Sequence, residues 1–477
     1  MNKYEKIKIC ALPNAADLRA ALTESESASV REQIALLFDT NTFIETAAFT
    51  KRGFSDFLST DKASEFESVI TGYGAIDGKL VFAFAEDAER TGGVIDDRHA
   101  KKIADLYKLA LDNGAPVIGI FNSNGTDIFA GTAGLAAYGK ILATVNRASG
   151  VIPQIALIAG NCIGTAATIA SMFDVIVKNK DANLYVTSPS LTKCEGAQDG
   201  IVSYVGSVAE CAGFARFLVG FLPDNASVGV QVVDCADNLN RMLGELNFAG
   251  EALSAISVIA DNGVFYELGA DYAKSASTVF TTIGGVKCGV VANSSAKGGG
   301  KLCTSCAKKI ARFVNLCDSF SIPVVTLVDS MGLVIDKDNE IEFAPALAKL
   351  ATAYASASCP KVTVIIGSAI GASFVLLGSK ALGADIVYAV DSAEIGALAA
   401  DSGVAFAWDK YITEDKTREN YISEWRATVS SPANAAASGE IDDIISINEL
   451  RARICSALLM LAGKGKSGSV GRRVLPL

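Results

Sequence analysis

Two short stretches hold the residues best suited to chemistry. They are "GNCIGTAATIA", beginning at Gly160, and "GSAIGASFVLL", beginning at Gly367. Each follows an apolar run of strand length and opens a helix-like run. Small residues at such a turn let a ligand approach the backbone, and the first N–H groups of a helix lack an intrahelical acceptor. A turn of this kind holds an oxyanion or a phosphate. The same small residues also serve close packing of helix on strand, so one turn alone does not separate the two readings. Two related turns at equivalent positions point toward function, although a duplication copies packing motifs as well.

Conventional side-chain catalysts are scarce. The single histidine, His99, stands just before a helix-like run, and its position reads as a cap or a surface site. There is no HExxH and no P-loop. "GKGKSG" (463–468) matches GxGxxG formally, but it follows a helix-like run and not a strand, so it reads as a flexible tail. Cys303 and Cys306 form one CxxC. A zinc site would need a second such pair, and none follows. The alternative is a pair of free thiols leading into a helix, and no metal is expected. Eleven cysteines scattered along the chain fit a reducing compartment. Chemistry here has to rest on positioned backbone donors, with the base supplied by a substrate or cofactor.

The elements that position the turns are written twice. "AKKIA" occurs at 100–104 and again at 307–311, an offset of 207 residues, and residues 100–125 share ten identities with 307–332. The same offset lays Pro153 on Pro360, Gly160 on Gly367 and Gly164 on Gly371. Upstream it lays "IDGKLVFAFA" on "IGGVKCGVVA". Earlier still, Asp39-x-x-x-Phe43-x-Glu45 recurs as Asp261-x-x-x-Phe265-x-Glu267 at an offset of 222. The chain therefore reads as two homologous domains in tandem. Ile103, Leu106, Tyr107 and Ala110 have helical spacing, repeated by Ile310, Phe313, Val314 and Cys317. Apolar runs "PVIGIF" and "PVVTLV" follow as buried strands, and "QIALIAG", "KVTVIIG", "DVIVK" and "DIVYAV" supply more. Strands alternating with helices imply right-handed crossovers in an α/β fold.

At 477 residues the chain is long enough for two such domains. Its net charge of −10 gives no dominant positive field, which argues against a nucleic-acid partner. The N-terminal stretch spreads its charges and lacks the apolar core of a signal peptide. The most apolar segment, 155–173, contains Asn161 with several Thr and Gly. It reads as a strand entering a helix rather than a membrane span.

At these residues the chain resembles the carboxyltransferase subunits of biotin-dependent acyl-CoA carboxylases and decarboxylases. This group includes acetyl- and propionyl-CoA carboxylase beta chains and methylmalonyl-CoA decarboxylase alpha subunits. The resemblance covers most of residues 30–465. It rests on "LLFDTNTFIE", "GGVIDDRHAKKI", "ASGVIPQIALIAGNCIG", "ADNGVFYELGADYAK", "IGGVKCGVVAN", "CPKVTVIIG", "GSKALGADIVYA" and "GEIDDIISINELRARICSALLMLAGK". It implies tandem crotonase/ClpP-like α/β domains of spiral ββα units. Residues 1–235 would form the acyl-CoA side and 236–477 the biotin side. The implied chemistry is carboxyl transfer between carboxybiotin and an acyl-CoA thioester, the ureido group left by decarboxylation taking the thioester's α-proton. Both reactants develop oxyanions. Residue by residue, the resemblance assigns the thioester oxygen to Gly164 and Thr165, and the biotin ureido oxygen to Ala372 and Ser373. It assigns Gly160, Ala166, Gly371 and Val375 to substrate binding.

The resemblance further implies a cytoplasmic hexamer, or a mixed oligomer with a paralogue. No Met-Lys-Met biotin attachment motif occurs here. Biotin would arrive on a separate biotin carboxyl carrier protein, with biotin carboxylase or membrane decarboxylase subunits as further partners. The chain departs from the family pattern at several loops. Gly164-Thr165 replaces Gly-Gly, Gly371-Ala372-Ser373 replaces Gly-Gly-Ala, and "NSNGTD" (122–127) lacks the family's Arg. These departures leave two alternatives to an active carboxyltransferase: a non-catalytic structural paralogue, or a CoA hydratase or hydrolase on the same fold. The last needs acidic catalysts near the turns, and none stands at a matching position.

Overall fold

The computed structural model describes residues 14–25, 27–52, 66–126, 130–193, 199–243 and 250–464. Among them lie two eight-stranded sheets. The first contains β1 (Ile44–Thr46), β2 (Val69–Ile76), β3 (Lys79–Glu86), β4 (Val117–Ser123), β5 (Gln154–Ile163), β6 (Val175–Asn179), β7 (Asn183–Tyr185) and β8 (Tyr204–Gly206). The second contains β9 (Phe265–Leu268), β10 (Ala276–Ile283), β11 (Val286–Asn293), β12 (Val324–Ser330), β13 (Lys361–Ile370), β14 (Ile386–Val390), β15 (Glu394–Gly396) and β16 (Asp443–Ile445). The first runs β1-β2-β3-β4-β5-β6-β8 with β7 beside β5, and the second runs β9-β10-β11-β12-β13-β14-β16 with β15 beside β13. Each begins with antiparallel pairs and continues in parallel from its third strand.

The parallel strands are apolar because helices cover them. In the helix Asp97–Asn113 the residues spaced for burial, Ile103, Leu106, Tyr107 and Ala110, are all buried. Their counterparts Ile310, Phe313, Val314 and Cys317 are buried in the helix Thr304–Ser319. Full burial of such a Leu or Ile side chain stabilises by about 1.5–3 kcal/mol. Asp96 caps the first of these helices, accepting from the N–H groups of Arg98 and His99, and Gly114 ends it in the left-handed region.

The 207-residue offset survives in three dimensions. The hairpin β2–β3 closes with Ile76 opposite Lys79, and β10–β11 closes with Ile283 opposite Val286. The Asp motif found at the other offset has one job in both halves. Asp39 accepts from the N–H groups of Asp77 and Gly78 at 3.1 Å each. Asp261 accepts from Gly284 and Gly285 at 2.8 Å each. Each carboxylate thereby clamps the tight turn of its hairpin, and each is paired with an arginine: Asp39 with Arg216 at 2.9 Å, Asp261 with Arg451 at 2.6 Å.

One large core cluster runs through both halves, from Leu37 and Ile118 to Val314 and Leu350. Polar contacts join the halves as well. Arg312 donates to the Phe173 carbonyl at 2.7 Å, and Lys287 donates to the Gly220 carbonyl at 2.8 Å. The connecting segment adds a short antiparallel pairing, with the Val233 N–H on the Gly285 carbonyl. The apolar segment 155–173 is β5 running into the helix Thr165–Ser171, and no described helix is long and apolar enough to cross a membrane. From residue 465 onward the stretch read as a tail lies outside the described residues.

Candidate active site

The two turns have nearly the same backbone. Gly164 has φ 61° and ψ −128°, and Gly371 has φ 60° and ψ −135°. L-residues with a Cβ are excluded from this region, so the conformation itself demands glycine. Space does not: nothing lies within 4 Å of the point a Cβ would occupy at Gly164. The first turn is thus open for an oxygen acceptor to approach.

Both glycines are anchored the same way. The Gly164 N–H donates to the Tyr185 carbonyl at 3.0 Å, and the Gly371 N–H donates to the Gly396 carbonyl at 2.8 Å. These anchors come from β7 and β15, the strands beside β5 and β13. Because its N–H is engaged in this way, Gly164 shapes the turn. The N–H groups left by helix geometry belong to the next residues, Thr165 and Ala166 in one turn, Ala372 and Ser373 in the other. The first intrahelical bond of the second turn runs from the Phe374 N–H to the Gly371 carbonyl at 3.2 Å, which leaves the two preceding amides without an intrahelical acceptor. The side chains of Thr165, Ala372 and Val375 are exposed, while Ala166 and Ser373 are fully buried. The Ser373 hydroxyl donates to the Ile370 carbonyl at 2.7 Å and the Ser330 carbonyl at 3.3 Å, so its side chain ties the turn to β12.

Gly160 and Gly367 are glycine for a different reason. A Cβ at Gly160 would fall 2.1 Å from Asn122 Oδ1, and one at Gly367 would fall 2.2 Å from Asp329 Oδ1. Those oxygens accept from the next amides, Asn161 at 3.1 Å and Ser368 at 2.9 Å. Asn122 and Asp329 brace the strand just ahead of each turn, and sequence reasoning passed over both. The signal was available: the 207-residue offset lays Asn122 on Asp329, beside the shared Ser123/Ser330.

Behind the first turn lies a buried titratable group that the sequence did not disclose. His99 is fully buried, which corrects its reading as a cap or surface residue. Asp96 takes the cap instead, and His99, on the helix's inner face, is drawn in beside two buried acids. Its Nδ1 lies 3.4 Å from Glu67 Oε1, and its Nε2 lies 3.8 Å from Glu86 Oε1. Burial alone would raise Glu67, but the hydrogen bond and charge of His99 hold it down at about 2. Burial dominates at Glu86 and pushes it up to about 7. Glu86 Oε2 accepts from the Asn122 N–H at 3.0 Å, so this group touches the brace of the first turn. At the equivalent positions the second half has Asn293, Cys303 and Cys306 for Glu86, Asp96 and His99. Among the described residues no group of three or more His, Cys, Asp or Glu gathers as a metal site requires. An open cleft of about 820 Å³ lies between the halves, lined by Tyr204, Phe214, Phe217 and Tyr266 among others, and none of the expected site residues lines it.

Comparison with known proteins agrees with this architecture. The carboxyl transferase domain family matches residues 24–208 and 196–469. Methylmalonyl-CoA decarboxylase subunit alpha of Veillonella parvula is 34% identical, covering 91% of this chain and 90% of the relative. Propionyl-CoA carboxylase beta chain of Roseobacter denitrificans is 32% identical, covering 91% of each. Among solved structures, the hexameric transcarboxylase 12S core with methylmalonyl-CoA bound superposes with a TM-score of 0.86 at 31% identity. It covers 92% of this chain and 91% of that one. The repeat implied two α/β domains in tandem and the resemblance made them crotonase-like, and that is the fold present. With two sheets of one design, paired glycine turns and family matches through both halves, the chain belongs to the carboxyl transferase domain family.

Proposed function

We propose that the chain transfers a carboxyl group between carboxybiotin and an acyl-CoA thioester, as a component of a carboxylase or a decarboxylase. The observation that carries this reading is the pair of glycine turns with matching backbone. Carboxybiotin, borne on a separate carrier protein, supplies the transferable carboxyl group. The Thr165 and Ala166 amides hold the thioester oxygen, and the Ala372 and Ser373 amides hold the ureido oxygen. Gly164 and Gly371 set the two turns, Gly160 lets Asn122 brace the first, and Val375 borders the acyl group. When the α-proton leaves, negative charge gathers on the thioester oxygen. Two fixed N–H donors stabilise that charge without reorganising, and loss of one such donor costs about 10²–10³ in rate. No side-chain acid is required at either turn.

Thr165 and Ala372 stand where the family has glycine, but both side chains are exposed and both backbones keep the turn conformation. That favours an active site over a purely structural paralogue. In this reading residues 1–235 face the acyl-CoA and residues 236–477 face biotin. The assembly is a cytoplasmic hexamer, in which the first half of one copy meets the second half of another. It works with a biotin carboxyl carrier protein and either a biotin carboxylase or membrane decarboxylase subunits.

The test is direct. Purified protein is incubated with malonyl-CoA or methylmalonyl-CoA and free biotin or biocytin, and loss of the carboxylated ester is followed. Ester loss that depends on biotin is expected. Absence of turnover with both esters, together with absence of CoA binding, would overturn the reading.

A further inference from the structure

The CxxC is built differently from the chain's other cysteines. Among the described cysteines outside it, Cys162, Cys211, Cys288, Cys317, Cys359 and Cys455 are buried, and Cys235, partly exposed, has no second cysteine at CxxC spacing. Cys303 is half-buried and caps the 16-residue helix Thr304–Ser319, its Sγ accepting from the Cys306 N–H at 3.3 Å. Cys306 lies one turn further on, buried, with its Sγ 2.8 Å from Cys303 Sγ. Ser275 Oγ lies 3.0 Å from the Cys306 sulfur on another side. In the first half the same two positions hold Asp96 and His99, so the outer position is one where the fold accommodates an anion at a helix start. One sulfur is thus reachable and hydrogen-bonded, and the other waits behind it within bonding reach.

We propose that Cys303 and Cys306 form a thiol–disulfide exchange site that reacts with small-molecule disulfides of the glutathione type. The Cys303 thiolate attacks one sulfur of the disulfide, whose S–S bond breaks and releases a glutathione thiolate. Cys306 then gives up its proton and attacks Cys303 Sγ. A Cys303–Cys306 bond forms and the second glutathione leaves as thiolate. Two protein thiols are oxidised and one small disulfide is reduced, and the protons given up by Cys303 and Cys306 end on the two glutathione thiolates. The hydrogen bond from Cys306 and the helix amides hold the Cys303 thiol down at about 6, which favours it as the attacking group. The hydrogen bond with Cys303, and then burial, push Cys306 upward, which keeps it protonated until the mixed disulfide forms. The site adjoins the second turn's surroundings. The Leu302 N–H donates to the Gly332 carbonyl at 2.9 Å, and the Leu302 carbonyl accepts from Val334 at 2.9 Å.

The experiment uses the full chain in glutathione buffers of increasing oxidised fraction, quenched in acid, alkylated with N-ethylmaleimide and digested with trypsin. The tryptic peptide Leu302–Lys308 contains these two cysteines and no others. Mass spectrometry is expected to show it pass from doubly alkylated to an internal disulfide two hydrogens lighter than the dithiol, and return under reduced glutathione. Cys306→Ser should accumulate a single glutathione on Cys303, and Cys303→Ser should leave Cys306 unmodified. A native peptide that stays doubly alkylated in every buffer would overturn the proposal, as would a disulfide seen only in urea. Glutathione on Cys306 in Cys303→Ser would overturn the order of attack. Because the wild-type peptide is read first, failure of a variant to fold does not rescue the idea. The peptide is read independently of carboxyl transfer.

Discussion

The two turns have one backbone and two different backgrounds. Gly164 and Gly371 agree within 1° in φ and 7° in ψ, and each is anchored by the carbonyl of a neighbouring short strand. Behind them the first half buries Glu67, Glu86 and His99, while at the same offset the second half buries Asn293 and Cys306 and has an exposed Lys274. The bracing side chain changes too, from the neutral Asn122 to the acid Asp329. The duplicated fold has therefore kept the direction of its amide donors and let the charge behind them drift. That is the expected outcome when chemistry rests on backbone groups, whose positions follow from φ and ψ, and not on particular side chains.

The strongest way to test the comparison is to break one turn at a time. Gly164→Ala and Gly371→Ala each force an L-residue into a region costing about 1–3 kcal/mol, and the donors turn away to relieve it. Carboxyl transfer is expected to fall by about 10²–10³ in both. Gly164→Ala should weaken binding of the CoA ester by calorimetry, and Gly371→Ala should leave it intact. Equal loss of ester binding in both variants would show that the two sides are wrongly assigned.

The hairpin clamps give the next largest contrast. Asp261→Ala takes from the fully buried Arg451 the nearer of its two carboxylates, leaving Asp237 at 3.2 Å, and loss of one partner of a buried pair costs up to about 3–5 kcal/mol. Asp39→Ala should cost less, because solvent reaches both Asp39 and Arg216. Urea denaturation of the two variants measures the difference. Equal shifts in midpoint would mean that burial does not distinguish the halves.

The smallest effect is a pH dependence confined to the first half. The folded chain raises Glu86 from its ordinary 4.5 to about 7. The fold thus favours the protonated acid, and this contribution to stability is complete below about 4.5 and is lost as pH climbs to about 7. Glu86→Gln, which gives the first half an amide where the second has Asn293, should flatten stability over that window. The change amounts to up to about 3 kcal/mol at roughly 1.4 kcal/mol per pH unit. An unchanged pH profile in thermal unfolding would show that Glu86 ionises as freely in the fold as out of it.

Much of this was legible in the sequence because the chain carries its own internal control. The 207-residue offset placed the helices, the strands and both glycine turns before any coordinates. What it left unread depended on neighbours brought together from distant segments. His99 stands next to a helix start in sequence, and only the approach of Glu67, just ahead of β2, and Glu86, at the end of β3, makes that place a buried one. The engagement of the Gly164 N–H was hidden for the same reason, since its acceptor is the carbonyl of a strand after the helix. The roles of Gly160 and Gly367 differ from those of Gly164 and Gly371, although all four are the same residue type. Periodicity marks where glycine stands, and only contacts separate a backbone that needs it from a side chain that crowds it.

The arginine pairs on the clamping aspartates bear on the order in which the chain can close. Asp39 waits for Arg216, 177 residues later, and Asp261 waits for Arg451, 190 residues later. Each lock is supplied by a later part of its own half, so a growing chain can close the first clamp before the second half has been made. Until Arg451 leaves the ribosome, Asp261 lacks the arginine that pairs with it at 2.6 Å. Chains cut short just before Arg451 would therefore carry both glycine turns and still lack the group that neutralises a buried acid at the root of the second sheet.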